Sequence, residues 1–374
     1  TYALKANTTA SANIAIGCGA LCKTTTGDPN VAIGHGSMVC NITGQYNTAV
    51  GYLTLNKNTA DNNTAIGFNG MKQNTTGDSH TAVGFNALAA NTTGLCNTAV
   101  GAYSLDANTT GCCNIAVGLG SLGSNTTAIN NTAIGSCSLK TNTTGANNVA
   151  MGICALFANT TAANNTAVGR RAMAANTDGT ANTSLGANAL CANTTADNNT
   201  AIGFESLKTT TTQGSHTAVG ACALRLTTGA QNTGFGFRAL TTNSSGQCNT
   251  ALGKDALCAN TTASYNTAVG LASMLKNTEG HSNTAVGLYS LACNTTGDAH
   301  IAIGYEALLN NTTADCNIAI GCKAMRANTT GANNTAVGTM ALTANTTGGL
   351  NTALGAFSLD ANTTAGETTA VGYG

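Results

Sequence analysis

Asn97-Thr98-Ala99-Val100-Gly101-Ala102-Tyr103-Ser104-Leu105-Asp106-Ala107-Asn108-Thr109-Thr110-Gly111-Cys112-Cys113 is one whole sentence of this chain, and Asn114 begins it again. The glycine closing its first phrase recurs 22 times between Gly17 and Gly372. The spacing is 17 residues except at 51 to 67 and 220 to 236, where it is 16. A short fixed period that runs end to end predicts a solenoid, because each repeat can bury its apolar side only against its neighbours. The expected fold is therefore all-β: a parallel β-solenoid (β-roll or β-helix) of about 22 coils, read as a single domain over residues 1–374.

With the glycine as position 0, position −1 is always large and apolar (Ile16, Val50, Met151, Phe235, Val371), and position +4 is Leu or Met (Leu21, Met38, Leu105, Leu359). Two apolar columns predict a thin continuous core. The phrase Asn-Thr-Ala-Val/Ile-Gly reads as a short strand, since its second place takes Ile14, Val31, Ile115, Val149, Ile301 or Ile318 in place of Thr. Strand alternation puts that residue and the large aliphatic on one face, and Asn, Ala and Gly on the other. The expectation is that the aliphatic faces inward and the small Ala outward, against another wall or a neighbouring chain. The glycine predicts positive φ or a lack of room for Cβ. Asn-Thr-Thr-Gly reads as the turn that closes the coil. Both shortened repeats lose their residue there (Asn58-Thr59-Ala60-Asp61 and Thr227-Thr228-Gly229-Ala230), as a loop tolerates.

Charged residues make up 7% of the chain and cancel, which leaves no basic stripe for nucleic acid. No apolar run approaches the roughly 20 residues of a membrane span. A strand spacing of about 4.8 Å makes such a stack roughly 100 Å long. Thr1 falls at +1 and Gly374 at +2 of their repeats, so neither end carries a capping repeat, and stacking end to end with copies is the expected consequence.

Position +7 carries a sequon at Asn7, Asn41, Asn74, Asn91, Asn108, Asn125, Asn142, Asn159, Asn193, Asn243, Asn260, Asn294, Asn311, Asn328, Asn345 and Asn362. Two readings stand: a row of covalent glycans, or a ladder of asparagines bonding along the stack. Coils about 4.8 Å apart crowd bulky sugars; O-linked sugar on threonine eases this. His80, His216 and His300 interrupt the other Asn column, at −4, and are expected to take over its hydrogen bonds. Among 15 cysteines, Cys96 with Cys113 and Cys137 with Cys154 share a phase in successive coils, within disulfide reach by Cα separation. Cys18 with Cys22 and Cys248 with Cys258 are weaker candidates, and disulfides imply an oxidising setting. Asp28, Asp78, Asp197, Asp298 and Asp315 share +11 and read as loop aspartates. No phosphate loop, recurrent carboxylate pair or metal spacing is present, so no catalytic, cofactor or metal site is expected.

The phrase Asn-Thr-Ala-Val/Ile-Gly followed by a small residue and Leu resembles the head repeats of trimeric autotransporter adhesins and related repeats of phage and environmental fibres. That resemblance implies a surface fibre or adhesin without an active site. The expected function is a structural subunit of an extracellular fibre on a cell or virion surface, partnered by copies of itself end to end, laterally or as a trimer. An adhesin or tail-fibre shaft that binds glycans, and an ice-binding solenoid, are the alternatives.

Overall fold

The computed structural model describes residues 1–374. They form two compact units, Thr1–Ala187 and Asn188–Gly374. The first holds eleven short strands, from β1 (Ile14–Ile16) and β2 (Asn30–Ile33) to β11 (Thr183–Leu185). The second holds eleven more, from β12 (Thr200–Ile202) to β22 (Thr369–Val371). Each unit is a parallel β-solenoid with no helix. Pairing advances by one repeat, Ile14 opposite Val31 and Ile16 opposite Ile33. The shortened repeats keep this register, with Ala49 opposite Ala65 and Ala218 opposite Gly234. In the first of them Ala60, at +9, supplies the carbonyl that +10 supplies elsewhere. The dropped residue is the exposed +9 threonine (Thr26, Thr43 and Thr76 in full-length coils). Its N–H shares the next coil's +8 carbonyl, as Thr76 N–H reaches Thr92 O at 3.2 Å beside Thr75 N–H at 2.9 Å, and the short coil keeps the +8 bond from Thr59 N–H to Thr75 O at 2.9 Å.

Coil-to-coil hydrogen bonding does not stop at the strand ends. Gly36 N–H donates to Cys18 O at 2.9 Å, Met38 N–H to Thr54 O at 3.0 Å and Cys40 N–H to Asn56 O at 3.0 Å. Thr75 N–H donates to Thr92 O at 2.9 Å and Cys113 N–H to Leu95 O at 2.9 Å. The segment from glycine to leucine is therefore neither helix nor second strand but a chain of turns bonded along the stack. It contains left-handed residues, with φ of 56° at Tyr103 and 48° at Leu105, and the residue before the next repeat's Asn is left-handed too, with φ of 58° at Cys113. Left-handed backbone costs an L-residue roughly 1–2 kcal/mol. At +4 that cost is offset because the turn swings Leu105 to 0% exposure, and burying a leucine is worth about 1.5–3 kcal/mol.

Both expectations for the position-0 glycine hold. Gly17 has φ of 126°, and a Cβ there would lie 2.6 Å from the carbonyl oxygen of Gly34 in the next coil.

The facing of the strand is the reverse of the sequence reading. Ala32, Ala49, Ala99, Ala116 and the other −2 alanines of the inner coils are the buried residues, at 0% exposure, with only Ala15 and Ala370 of the terminal coils half-buried. The aliphatic at −1 points out: Ile134 is 36%, Leu185 46% and Ile16 59% exposed. Interior width explains this. The +4 side chain reaches across the coil to the strand wall, where a Cβ on Gly234 would stand 3.2 Å from Leu224 Cγ. One methyl plus one leucine fills the gap, so a valine or isoleucine has no room inside. The core comprises Ala at −2, Leu or Met at +4, a small residue at +3 such as Ser104 or Ala155, and the two asparagine columns.

Candidate functional site

Because alanine takes the inside, each unit presents an outward sheet face that sequence reasoning missed. Its files are Thr or a β-branched residue at −3, the large aliphatic at −1 and, past the strand, position +1. Ile66, Met151, Leu185, Phe235, Leu252 and Ile303 are all exposed large side chains of the −1 file. In the first unit the +1 file carries a ring stack. His35, Tyr52, Phe68 and Phe85 lie centroid to centroid at 5.3, 5.1 and 5.1 Å, within 13° of parallel. The stack spacing follows the strand spacing, about 4.8 Å, so the rings satisfy one another and present their edges. Large apolar patches on a surface mark contact sites.

The sequon asparagines are placed inside. Asn41, Asn74, Asn91, Asn108, Asn125, Asn142, Asn159, Asn193, Asn243, Asn260, Asn294, Asn311, Asn328 and Asn345 are at 0% exposure. Asn108 Nδ2 donates to Asn91 Oδ1 at 2.8 Å and to Gly111 O at 3.0 Å, and Asn91 repeats this with Asn74 at 2.8 Å. An N-linked sugar needs Nδ2 turned outward, so this placement favours the ladder reading. Asn7 and Asn362 are the less buried members of the row, and both still donate to the +10 carbonyl, at 2.9 and 3.0 Å.

The −4 asparagines form a second ladder. Asn47 N–H donates to Asn30 Oδ1 at 3.0 Å, and Asn30 Nδ2 donates to Gly44 O at 2.9 Å. His80 reproduces both bonds, with Nδ1 accepting from Asn97 N–H at 3.0 Å and Nε2 lying 2.7 Å from Gly94 O. That geometry assigns the neutral tautomer protonated on Nε2. Burial lowers the pKa of all three histidines. His216 falls furthest, to about 4, because the shortened coil above it leaves Nε2 without a partner.

Cys96, Cys113, Cys137 and Cys154 are free thiols, as are Cys18, Cys22, Cys248, Cys258 and the rest of the fifteen. Same-phase neighbours send their Cβ atoms out in parallel, which holds them near the coil spacing of about 4.8 Å. A disulfide needs roughly 3.5–4.5 Å between Cβ atoms. Proximity does affect Cys96, whose pKa is raised by burial and then by Cys113.

The +11 aspartates serve neighbouring backbone. Asp28 accepts from Ala12 N–H at 2.7 Å and Ser11 N–H at 3.2 Å, and these bonds lower its pKa. Asp298 accepts from His281 N–H at 2.6 Å and Asp315 from Asp298 N–H at 2.8 Å.

No protein-family model matches this chain, and no curated protein is similar to it. The functional reading therefore rests on surface chemistry. Charges cluster on the edge formed by +2 and +5, where they pair across one coil: Arg225 Nε with Glu205 at 2.8 Å and Arg326 Nε with Glu306 at 2.6 Å.

Proposed function

We propose that the chain is a structural subunit of an extracellular fibre, held together by packing of its outward sheet face against copies of itself. The −1 file carries this reading: a large apolar side chain, half-buried or exposed, in every coil, aligned at the strand spacing on a sheet face. A periodic apolar file finds its best complement in a surface of the same period, and another copy of the chain is such a surface. Burying the remaining two-fifths of one such side chain is worth about 1 kcal/mol. The eleven coils of a unit then supply roughly 10 kcal/mol, against an association cost of roughly 4–15 kcal/mol. A long file is needed, which is what a structural repeat provides.

Extracellular placement rests on the adhesin-like resemblance. Sugar, on this reading, sits on exposed +9 hydroxyls such as Thr43, Thr76 and Thr93 rather than on the asparagine ladder. Electron microscopy of native material tests the proposal: fibres several chains wide are expected, and isolated single chains at every concentration would overturn it.

One observation favours the ice-binding reading, since the −3 threonines stack on the outward face instead of sharing a turn. Ile115, Val149, Ile301 and Ile318 interrupt that file, and Phe235 and Met151 roughen its neighbour. Thermal hysteresis in the purified chain would favour ice binding over assembly; its absence removes that reading.

A further inference from the structure

The coil that begins at Gly118 is the only one with glycine at both +2 (Gly120) and +5 (Gly123). Elsewhere these columns hold side chains as large as Arg171, Lys208 and Phe357. Losing both opens a notch of about 410 Å³ on the charged edge of the first unit, within the roughly 300–1,000 Å³ range of small-molecule sites. Tyr103 and Asp106 of the coil below form one wall, Cys137 and Lys140 of the coil above the other, and Leu119 flanks the opening. Nothing stands within 4 Å of where a Cβ on Gly120 would be, and Asp106 Oδ1 is 3.4 Å from the corresponding point on Gly123. The carboxylate therefore lines the gap.

Opposite charges at +2 and +5 of the second unit meet within a coil or across one coil, whereas in the first unit the bare coil keeps Asp106 and Lys140 two coils apart, and they form no ion pair. Burial raises the Asp106 pKa, opposed by hydrogen bonds from the backbone N–H groups of Asp106 and Ala107 and, after them, by Lys140. The walls stand roughly 9.6 Å apart, backbone to backbone, at two strand spacings, leaving width for one flat ring. The occupant must offer a hydrogen-bond donor to a carboxylate, an acceptor to an ammonium, and an apolar C–H face to Tyr103 and Leu119.

A neutral polyhydroxylated ring meets all three demands, because adjacent hydroxyls donate and accept while the ring C–H groups pack on the aromatic. We propose that this notch binds a single neutral pyranose residue of a glycan, with Asp106 accepting from one hydroxyl, Lys140 donating to its neighbour and Tyr103 supplying the platform. The site goes beyond the structural role and does not depend on self-association.

The test uses the full chain and a panel of methyl pyranosides, followed by saturation-transfer NMR and calorimetry. Binding in the millimolar range by at least one pyranoside is expected. Gly123→Leu should weaken it at least tenfold while leaving the fold intact, since Leu275 and Leu309 occupy +5 in other coils. Asp106→Asn should weaken it about tenfold. Bound sugar should also slow alkylation of Cys137 and leave Cys154 unaffected. Three results would overturn the proposal: no binding across the panel, binding unchanged in Gly123→Leu, or binding of zwitterionic amino acids in place of sugars. Sedimentation of the same variants shows separately whether assembly persists.

Discussion

Exchanging size between neighbouring positions of one strand probes the inverted facing of the sheet. The strand Ile115–Val117 offers Ala116, at 0% exposure, beside Val117, which is half-buried and faces out. Ala116→Leu adds three carbons to an interior where the facing leucine already stands within van der Waals contact of the strand wall. Overpacking costs typically 1–3 kcal/mol, and strand propensity does not contribute to the loss, because leucine is no worse than alanine in strands. Val117→Thr keeps the β-branched shape on the surface and should stay within about 0.5 kcal/mol. A unit of this size shifts its Tm by about 2–4 °C per kcal/mol. Calorimetry should therefore show a fall of roughly 2–12 °C for Ala116→Leu and less than about 2 °C for Val117→Thr. The opposite order would refute the facing described here and restore an aliphatic interior.

Gly101→Ala places a methyl against the carbonyl of Gly118 at a φ of 131°; a loss above about 3 kcal/mol is expected from urea denaturation. His216 takes up its proton near pH 6.5 when unfolded but only near 4 when folded. Stability should thus fall as pH drops through that window, by about 3 kcal/mol, and level off below it. His216→Asn should flatten that part of the urea-midpoint profile. Alkylation in denaturant without reductant should label all fifteen cysteines by mass spectrometry, and any protected pair would contradict the free-thiol assignment. Peptides containing Asn91 or Asn108 should carry no N-linked sugar, because Nδ2 of each is committed to the ladder.

Periodicity made the architecture legible: the 17-residue recurrence of glycine dictates coils, and the β-branched −3 and −1 positions dictate strands. The role of the histidines was also legible from their place in an asparagine column, although His216 keeps only the bond at Nδ1. Facing was not, because strand alternation says which residues share a side but not which side is in. Hydrophobicity points the wrong way here. It favours Val100 over Ala99 for the core, yet the +4 leucine on the opposite wall has already used the interior width. The signal that could have found the answer is the near-invariance of the alanine, since a buried column against a close wall tolerates no change in size. The left-handed leucines were hidden as well, because bulky residues with positive φ contradict local propensity and are held there only by burial and bonds between coils. At Gly120 and Gly123 each departure from the repeat is visible alone, but the notch emerges only when the coils are stacked and Asp106 comes to face Lys140.

Sedimentation velocity across a concentration series reads directly whether the outward aliphatic file joins copies of the chain. The wild-type chain should sediment as an assembly of several chains. A triple variant, Ile134→Lys, Met151→Lys and Leu185→Lys, should sediment as a single chain with an unchanged circular dichroism spectrum. A wild-type chain that stays single at every concentration, or a triple variant that assembles as well as wild type, would contradict it.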